Sequence, residues 1–178
     1  LTVIQSYDET FPDMNVSIDA AKTIGVGFGE LGCVGTAGFD NGWTTERSTR
    51  QVQANGRIED SLESVESTYQ VTLNALASTT LNFDSGDSVQ GTVFYVHDTA
   101  KEAQIDQVRT FSEPDGVFLE KNGYYERELL FTQLNGEHLI GDLTANWKGS
   151  YSMASRDAPY ERQLERQLRG DALLFPGN

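Results

Sequence analysis

Apolar and polar residues alternate through residues 67–83, which read STYQVTLNALASTTLNF. From Tyr69 to Phe83 the odd positions are apolar except at Thr79, and the even positions of the segment are polar except at Leu76. Successive side chains of a β-strand point to opposite faces, so this pattern predicts a strand with one apolar and one polar face. The segment is about three times as long as a typical strand of five or six residues. A strand that crosses a bilayer needs about 9–11 residues, so the length is typical of a membrane-spanning strand.

The same alternation returns in residues 143–153, where the odd positions are apolar and the even positions are mainly polar. Residues 89–111 and 124–136 alternate less regularly and are also predicted to be strands, and residues 1–7 to be the end of another. For residues 124–136, the alternative is an amphipathic helix over residues 126–134. Aromatic residues near the strand ends could form interfacial girdles: Tyr69, Phe83, Tyr95, Trp147 and Tyr151.

The connections between the predicted strands alternate between long and short. Long loops are predicted at about 8–65, 112–123 and 157–178, and tight turns at about 84–88 and 137–142. Antiparallel strands place alternate connections at opposite ends of a sheet, and outer-membrane barrels have brief turns at one end and long loops at the other. We therefore predict an all-β fold, in which an antiparallel up-and-down meander of long strands forms part of a transmembrane β-barrel. The whole chain would be one segment of the barrel domain, with the sheet incomplete and open.

The composition argues against two classes of protein, those with transmembrane helices and those that bind nucleic acid. The chain has 38% hydrophobic residues and no apolar run long enough for a transmembrane helix. Its formal charge of -14 argues against binding nucleic acid, because the phosphates would be repelled. It begins at Leu1 without a basic and apolar leader, and we expect it to be a fragment of a longer protein.

Catalytic and cofactor signals are weak. Gly25, Gly27 and Gly29 resemble the start of a dinucleotide loop, but Glu30 occupies the position of the last glycine, and no helical period follows. Cys33 is predicted to be a small, half-buried residue rather than a nucleophile. No catalytic residues and no cofactor are predicted.

Metal ligands are not predicted either. Asp84 and Asp87 flank a glycine turn that could hold a cation loosely, but the spacing of a calcium loop is absent. His97 and His138 are far apart in sequence, and His138 is expected to be a polar turn residue.

Charged and aromatic residues where the last strand enters its loop are the predicted ligand contacts, namely Arg156, Asp157, Tyr160 and Glu161. The alternative is a salt-bridged rim. Residues 160–169 could form a short helix, or a polar strand that continues into the loop.

Residues 126–138 (ERELLFTQLNGEH), 143–147 and 150–161 (SYSMASRDAPYE) resemble the barrel of TonB-dependent outer-membrane receptors. The likeness covers residues 124–161 well and residues 66–111 by pattern only. It implies a barrel of about 22 antiparallel strands around an N-terminal plug, energised through TonB.

The resemblance implies a function in the bacterial outer membrane. The intact protein would import a scarce nutrient, such as a siderophore–iron complex, a cobalamin or a glycan. Its partners would be outer-membrane lipid, a small-molecule ligand and, through parts absent from this chain, the TonB complex. The alternative is a soluble secreted β-sandwich module that binds carbohydrate or protein through acidic loops. In the first case the apolar strand faces are exposed, and in the second they pack against another sheet.

Overall fold

Residues 12–54, 57–110, 116–169 and 172–173 are described by a computed structural model, and almost all of them lie in antiparallel strands. The strands are β1 (Met14–Val26), β2 (Gly29–Ala54), β3 (Arg57–Phe83), β4 (Ser88–Arg109), β5 (Val117–Ile140), β6 (Leu143–Arg169) and the short β7 (Ala172–Leu173). Each strand pairs with the next one in sequence. The predicted all-β fold, an open antiparallel meander, is confirmed.

The register assigns every side chain to one of two faces. The odd positions of β3 and their cross-strand partners form the apolar face, which includes Phe39 opposite Leu73 and Tyr95 opposite Ala75. The even positions of β3 and their partners form the polar face, which includes Asp98 opposite Thr72. The alternation in sequence therefore becomes a difference between the two sides of one sheet.

The sheet is a single layer, so few of its side chains are buried. In the described part of the chain, Ala100 is the one buried hydrophobic residue. On the apolar face, Ile18 and Leu143 are 70% and 71% exposed. The described strands form no second sheet against this face, so its large apolar side chains are left exposed.

Tight turns lie at one end of the sheet, which we call the short-turn end. Gly27 and Phe28 connect β1 to β2, residues 84–87 connect β3 to β4, and residues 141–142 connect β5 to β6. Gly86 and Gly141 have φ angles of 90° and 63°, which favour glycine. The opposite end, where β2 meets β3 and β4 meets β5, we call the hairpin end.

The predicted long loop over residues 8–65 is wrong, because β1, β2 and the start of β3 occupy residues 14–65. The many glycines of this segment favour turns in the sequence pattern, but several of them lie inside β2. Gly38, for example, leaves room for the side chain of Asn74 from the neighbouring strand. Glycine in a strand often marks such a close approach.

The other predicted connections are shorter than expected. Strand β5 begins at Val117, within the predicted loop 112–123, and β6 continues to Arg169, within the predicted loop 157–178. The predicted turn at 137–142 is only two residues long, because Ile140 still pairs with Leu143. The turn predicted at 84–88 is confirmed to within one residue.

A β-bulge interrupts the pairing of β5 with β6. Tyr124 pairs with Tyr160 and Glu126 pairs with Asp157, so Ala158 and Pro159 together oppose one residue of β5. Proline has no N–H to donate to a partner strand, and bulges tolerate it. The extra residue reverses the face on which each later residue of β6 lies.

The helical alternatives for residues 126–134 and 160–169 are wrong, since both segments are strands. No helix in the described residues is long and apolar enough to span a membrane. The strand end predicted at residues 1–7 lies outside the described residues.

Candidate functional site on the polar face

The polar face carries networks of hydrogen bonds that cross β3, β4 and β5. Nearest the short-turn end, the Ser78 and Thr92 hydroxyls are 2.9 Å apart, and Gln90 Nε2 donates to Ser78 Oγ at 3.2 Å. Asn135 Nδ2 donates to Gln90 Oε1 at 2.9 Å, and Gln133 Nε2 donates to Asn135 Oδ1 at 2.6 Å. These bonds connect side chains of all three strands in one layer.

An apolar cluster interrupts the polar face on the side of this layer that is nearer the hairpin end. Leu76 pairs with Phe94, and Phe94 pairs with Phe131. In the next row on the same face, Val96 pairs with Leu129. We call these five residues the apolar inset. It accounts for the break in alternation at Leu76.

Asp98 accepts hydrogen bonds from β3 and β5 and lies next to the apolar inset, on the side nearer the hairpin end. Its Oδ1 accepts from Gln70 Nε2 at 2.7 Å and from Thr72 Oγ1 at 2.9 Å. Its Oδ2 is 3.4 Å from Arg127 Nη1. The Asp98 side chain is 13% exposed, so the carboxylate is held mainly by protein donors.

Arg156 lies next to Arg127, its direct cross-strand partner. The Arg156 guanidinium carbon is 5.4 Å from the centre of the Tyr125 ring, which is within the range of a cation–π contact. The Tyr125 ring lies over Gly123, where any side chain would collide with it. Two arginines and one aromatic residue therefore occupy neighbouring positions on the polar face.

A second carboxylate, Asp106, organises the polar face toward the hairpin end. Its Oδ1 accepts from Ser64 Oγ at 2.6 Å and from Gln104 Nε2 at 2.8 Å. Lys121 Nζ is 3.8 Å from Asp106 Oδ2. Asp106 is 6% exposed, one of the most buried polar residues in the described chain.

The apolar face carries a band of apolar side chains that crosses the sheet diagonally. On β3 the band extends from Val71 to Phe83, and on β6 from Leu143 to Met153. Across the register, Met153 lies level with Ala75. The limit of the band nearer the hairpin end, its upper limit, therefore shifts by four residues from Val71 on β3 to the level of Ala75 on β6. Strands tilted against a flat boundary produce such a shift.

Aromatic residues follow the upper limit of this band. Trp43 and Tyr69 contact each other at 4.7 Å between ring centres on β2 and β3. Compared with Tyr69, Tyr95 lies six rows and Tyr151 eight rows nearer the short-turn end, so the aromatic residues shift in the same direction as the limit of the band. At the lower limit, the rings of Phe28 and Phe83 stack at 5.9 Å.

A group of side chains connects two turns at the short-turn end. Asp87 Oδ1 accepts from the Leu139 backbone N–H at 2.9 Å and is 3.6 Å from His138 Nδ1. Trp147 Nε1 donates to His138 Nε2 at 3.0 Å. The hydrogen bonds from the Ser85 hydroxyl and the Leu139 N–H lower the pKa of Asp87 below its usual value of 3.8.

The four predicted ligand contacts do not lie together. Arg156 and Glu161 are on the polar face, whereas Asp157 and Tyr160 are on the apolar face, opposite Glu126 and Tyr124. All four are exposed. Only Arg156 and Glu161 can therefore contribute to a site on the polar face.

Two further predictions, for Cys33 and His138, are corrected by the structure. Cys33 is exposed on the apolar face rather than half-buried, and Thr79 Oγ1 donates to its Sγ at 3.7 Å. His138 lies within β5 and not in a turn. Among the described residues, no group of three His, Cys, Asp or Glu side chains could hold a metal ion.

The sequence pattern alone does not single out Asp98, Arg127 and Tyr125. The alternation does place Tyr125, Arg127 and Leu129 on one face of β5. What was missing was the register that brings Asp98 and Arg156 to either side of Arg127.

Comparison with known proteins adds no relatives. No family model matches the chain, and no curated protein matches it.

Proposed function

We propose that this chain forms part of the wall of an outer-membrane β-barrel in a receptor of the TonB-dependent type. The intact receptor would bind a scarce nutrient, such as a siderophore–iron complex, a cobalamin or a glycan, and import it with energy supplied through TonB. The apolar face would contact lipid, and the polar face would line the lumen.

One observation carries this proposal, namely the diagonal apolar band bounded by aromatic residues. Its extent of 11 residues on β6, Leu143–Met153, agrees with the roughly 9–11 residues of a membrane-crossing strand tilted by about 45°. Aromatic girdles at the edges of such a band are typical of outer-membrane barrels. The polar networks of the other face are consistent with a water-filled lumen.

The lengths of the strands support the same proposal. Strand β3 has 27 residues, or about 90 Å at 3.3 Å per residue, and the band covers about half of it. The other half would project beyond the membrane at the hairpin end and contribute to ligand capture. The resemblance of residues 124–161 supports the receptor class, and the TonB-coupled parts would lie outside this chain.

Labelling of single cysteines in lipid vesicles tests the membrane contact. In a Cys33→Ser background, cysteine is introduced at Leu73, Ala145 and Trp147 on the apolar face. Matched controls are the adjacent polar-face residues Asn74 and Asn146.

A charged, water-soluble maleimide should label the two control cysteines and leave the three apolar-face cysteines unmodified. Equal labelling at all five positions in a protein that stays dispersed without detergent would contradict the proposal and favour the secreted binding module. For the energised step, nutrient uptake by cells carrying the intact protein should stop when TonB is deleted, while nutrient binding persists.

A further inference from the structure

Two positive charges oppose each other across β5 and β6. Arg127 and Arg156 are direct cross-strand partners on the polar face. Arg127 pairs with Asp98, whereas Arg156 contacts the Tyr125 ring and, within the described residues, pairs with no carboxylate. Like charges placed directly opposite destabilise a sheet. This arrangement leaves one uncompensated positive charge, in a chain whose net charge is -14.

Guanidinium groups are well suited to binding carboxylates and phosphates. Their planar N–H groups match the oxygen pairs of carboxylates and phosphates, and charge-assisted hydrogen bonds of this kind are among the strong ones. Arg156 is exposed, and Arg127 is 51% exposed at its side chain, so both can be reached from solution. An anion between them would offset their repulsion.

The surface next to the two arginines is apolar. Leu129 lies two residues from Arg127 on the same face, and Phe131 lies two residues further. Alternate residues of a strand are about 7 Å apart, so the positions of Leu129 and Phe131 lie about 7 and 13 Å along β5 from that of Arg127. A ligand of one or two rings could contact both the arginines and the apolar inset.

We propose that Arg127 and Arg156, with Tyr125 beside them, bind the carboxylate or phosphate of a small anionic molecule whose apolar body lies over Leu129 and Phe131. This inference rests on the proposed function in that the ligand would enter along the polar face. It favours an anionic, partly aromatic nutrient over a neutral glycan.

Calorimetric titration of the chain in detergent micelles with naphthoate tests this site. Naphthoate should bind at least about tenfold more tightly than naphthyl methanol, which lacks the charge, and than acetate, which lacks the rings. Equal affinity for naphthoate and naphthyl methanol, or for naphthoate and acetate, would overturn the proposal.

Two variants assign the effect to the arginines. Arg156→Gln and Arg127→Gln should each weaken naphthoate binding by about tenfold. Lys148→Gln is the control, because it removes a positive charge from the same face of β6 nearer the short-turn end and should leave the affinity unchanged. Naphthoate affinity that is equal in the wild type and both arginine variants would contradict the site, as expected if the arginines instead hold an acidic protein segment.

A stability measurement separates ligand binding from a structural role. Arg156→Gln removes the like-charge opposition, so its urea midpoint without ligand should equal or exceed that of the wild type. A lower midpoint would assign Arg156 to holding the sheet together. The calorimetry is independent of the vesicle labelling, so a missing anion site and a missing membrane contact would be distinguished.

Discussion

The apolar and polar faces share one backbone but differ in what holds their side chains in place. On the polar face, Asp98 and Asp106 of β4 accept hydrogen bonds from side chains of β3 at 2.6–2.9 Å. Within the apolar band, side chains such as Leu134, which is 55% exposed, pack only against the same layer. The carboxylates of the polar face thus find hydrogen-bond donors within the sheet. The stability of the apolar face depends instead on the medium that covers it.

The strongest test of this difference is a charge placed in the middle of the apolar band. Ala77→Arg should lower the free energy of unfolding in lipid vesicles by about 2–4 kcal/mol, because a cation at the bilayer midplane is poorly solvated. Thr80→Arg on the polar face of the same strand should change it by no more than about 0.5 kcal/mol. Urea titration followed by circular dichroism measures both. Equal values would contradict a lipid-covered apolar face.

On the polar face, the largest effect is expected at Asp106. Replacing it with alanine leaves the donors of Ser64 and Gln104 without their acceptor and should cost about 1–3 kcal/mol of unfolding free energy. Asp19→Ala on exposed β1 is the control and should change it by less than about 0.5 kcal/mol. A similar loss for both variants would show that the network adds no stability.

A smaller effect is expected where Trp147 packs over a glycine. A Cβ atom at Gly136 would collide with the Trp147 indole, so Gly136→Ala should cost about 1 kcal/mol and shift the tryptophan fluorescence. Gly149 lies on the same face with nothing near its Cβ position, so Gly149→Ala should leave both unchanged. An unchanged spectrum for Gly136→Ala would mean that the indole lies elsewhere.

The smallest effect is a pH dependence at the short-turn end. Because the pKa of Asp87 is lowered in the folded chain, its contribution to stability is present above the usual value of 3.8 and is lost as pH falls through the folded pKa. Asp87→Asn should therefore flatten the decrease in urea midpoint below about pH 4. An unaltered acid profile for Asp87→Asn would show that the contacts with Ser85 and Leu139 add no stability.

Local pattern was sufficient to predict strands where alternation was clean. Residues 67–83 and 143–153 were assigned correctly, because the period of two directly reflects side chains on opposite faces. The same period is present in β1, at Val16, Ile18 and Ala20, but was obscured by the glycines that follow. Glycine is ambiguous in sequence, since it serves both turns and close approaches between strands.

The sequence alone determined which residues of a strand share a face, as for Tyr125, Arg127 and Leu129. Only the tertiary structure decided which residues meet across strands. The bulge at Ala158 and Pro159 puts Asp157 and Tyr160 on the apolar face, although simple alternation would separate them. Register places Arg156 beside Arg127, because backbone hydrogen bonds between strands fix which residues are opposite. Those bonds join positions distant in sequence, which no local pattern specifies.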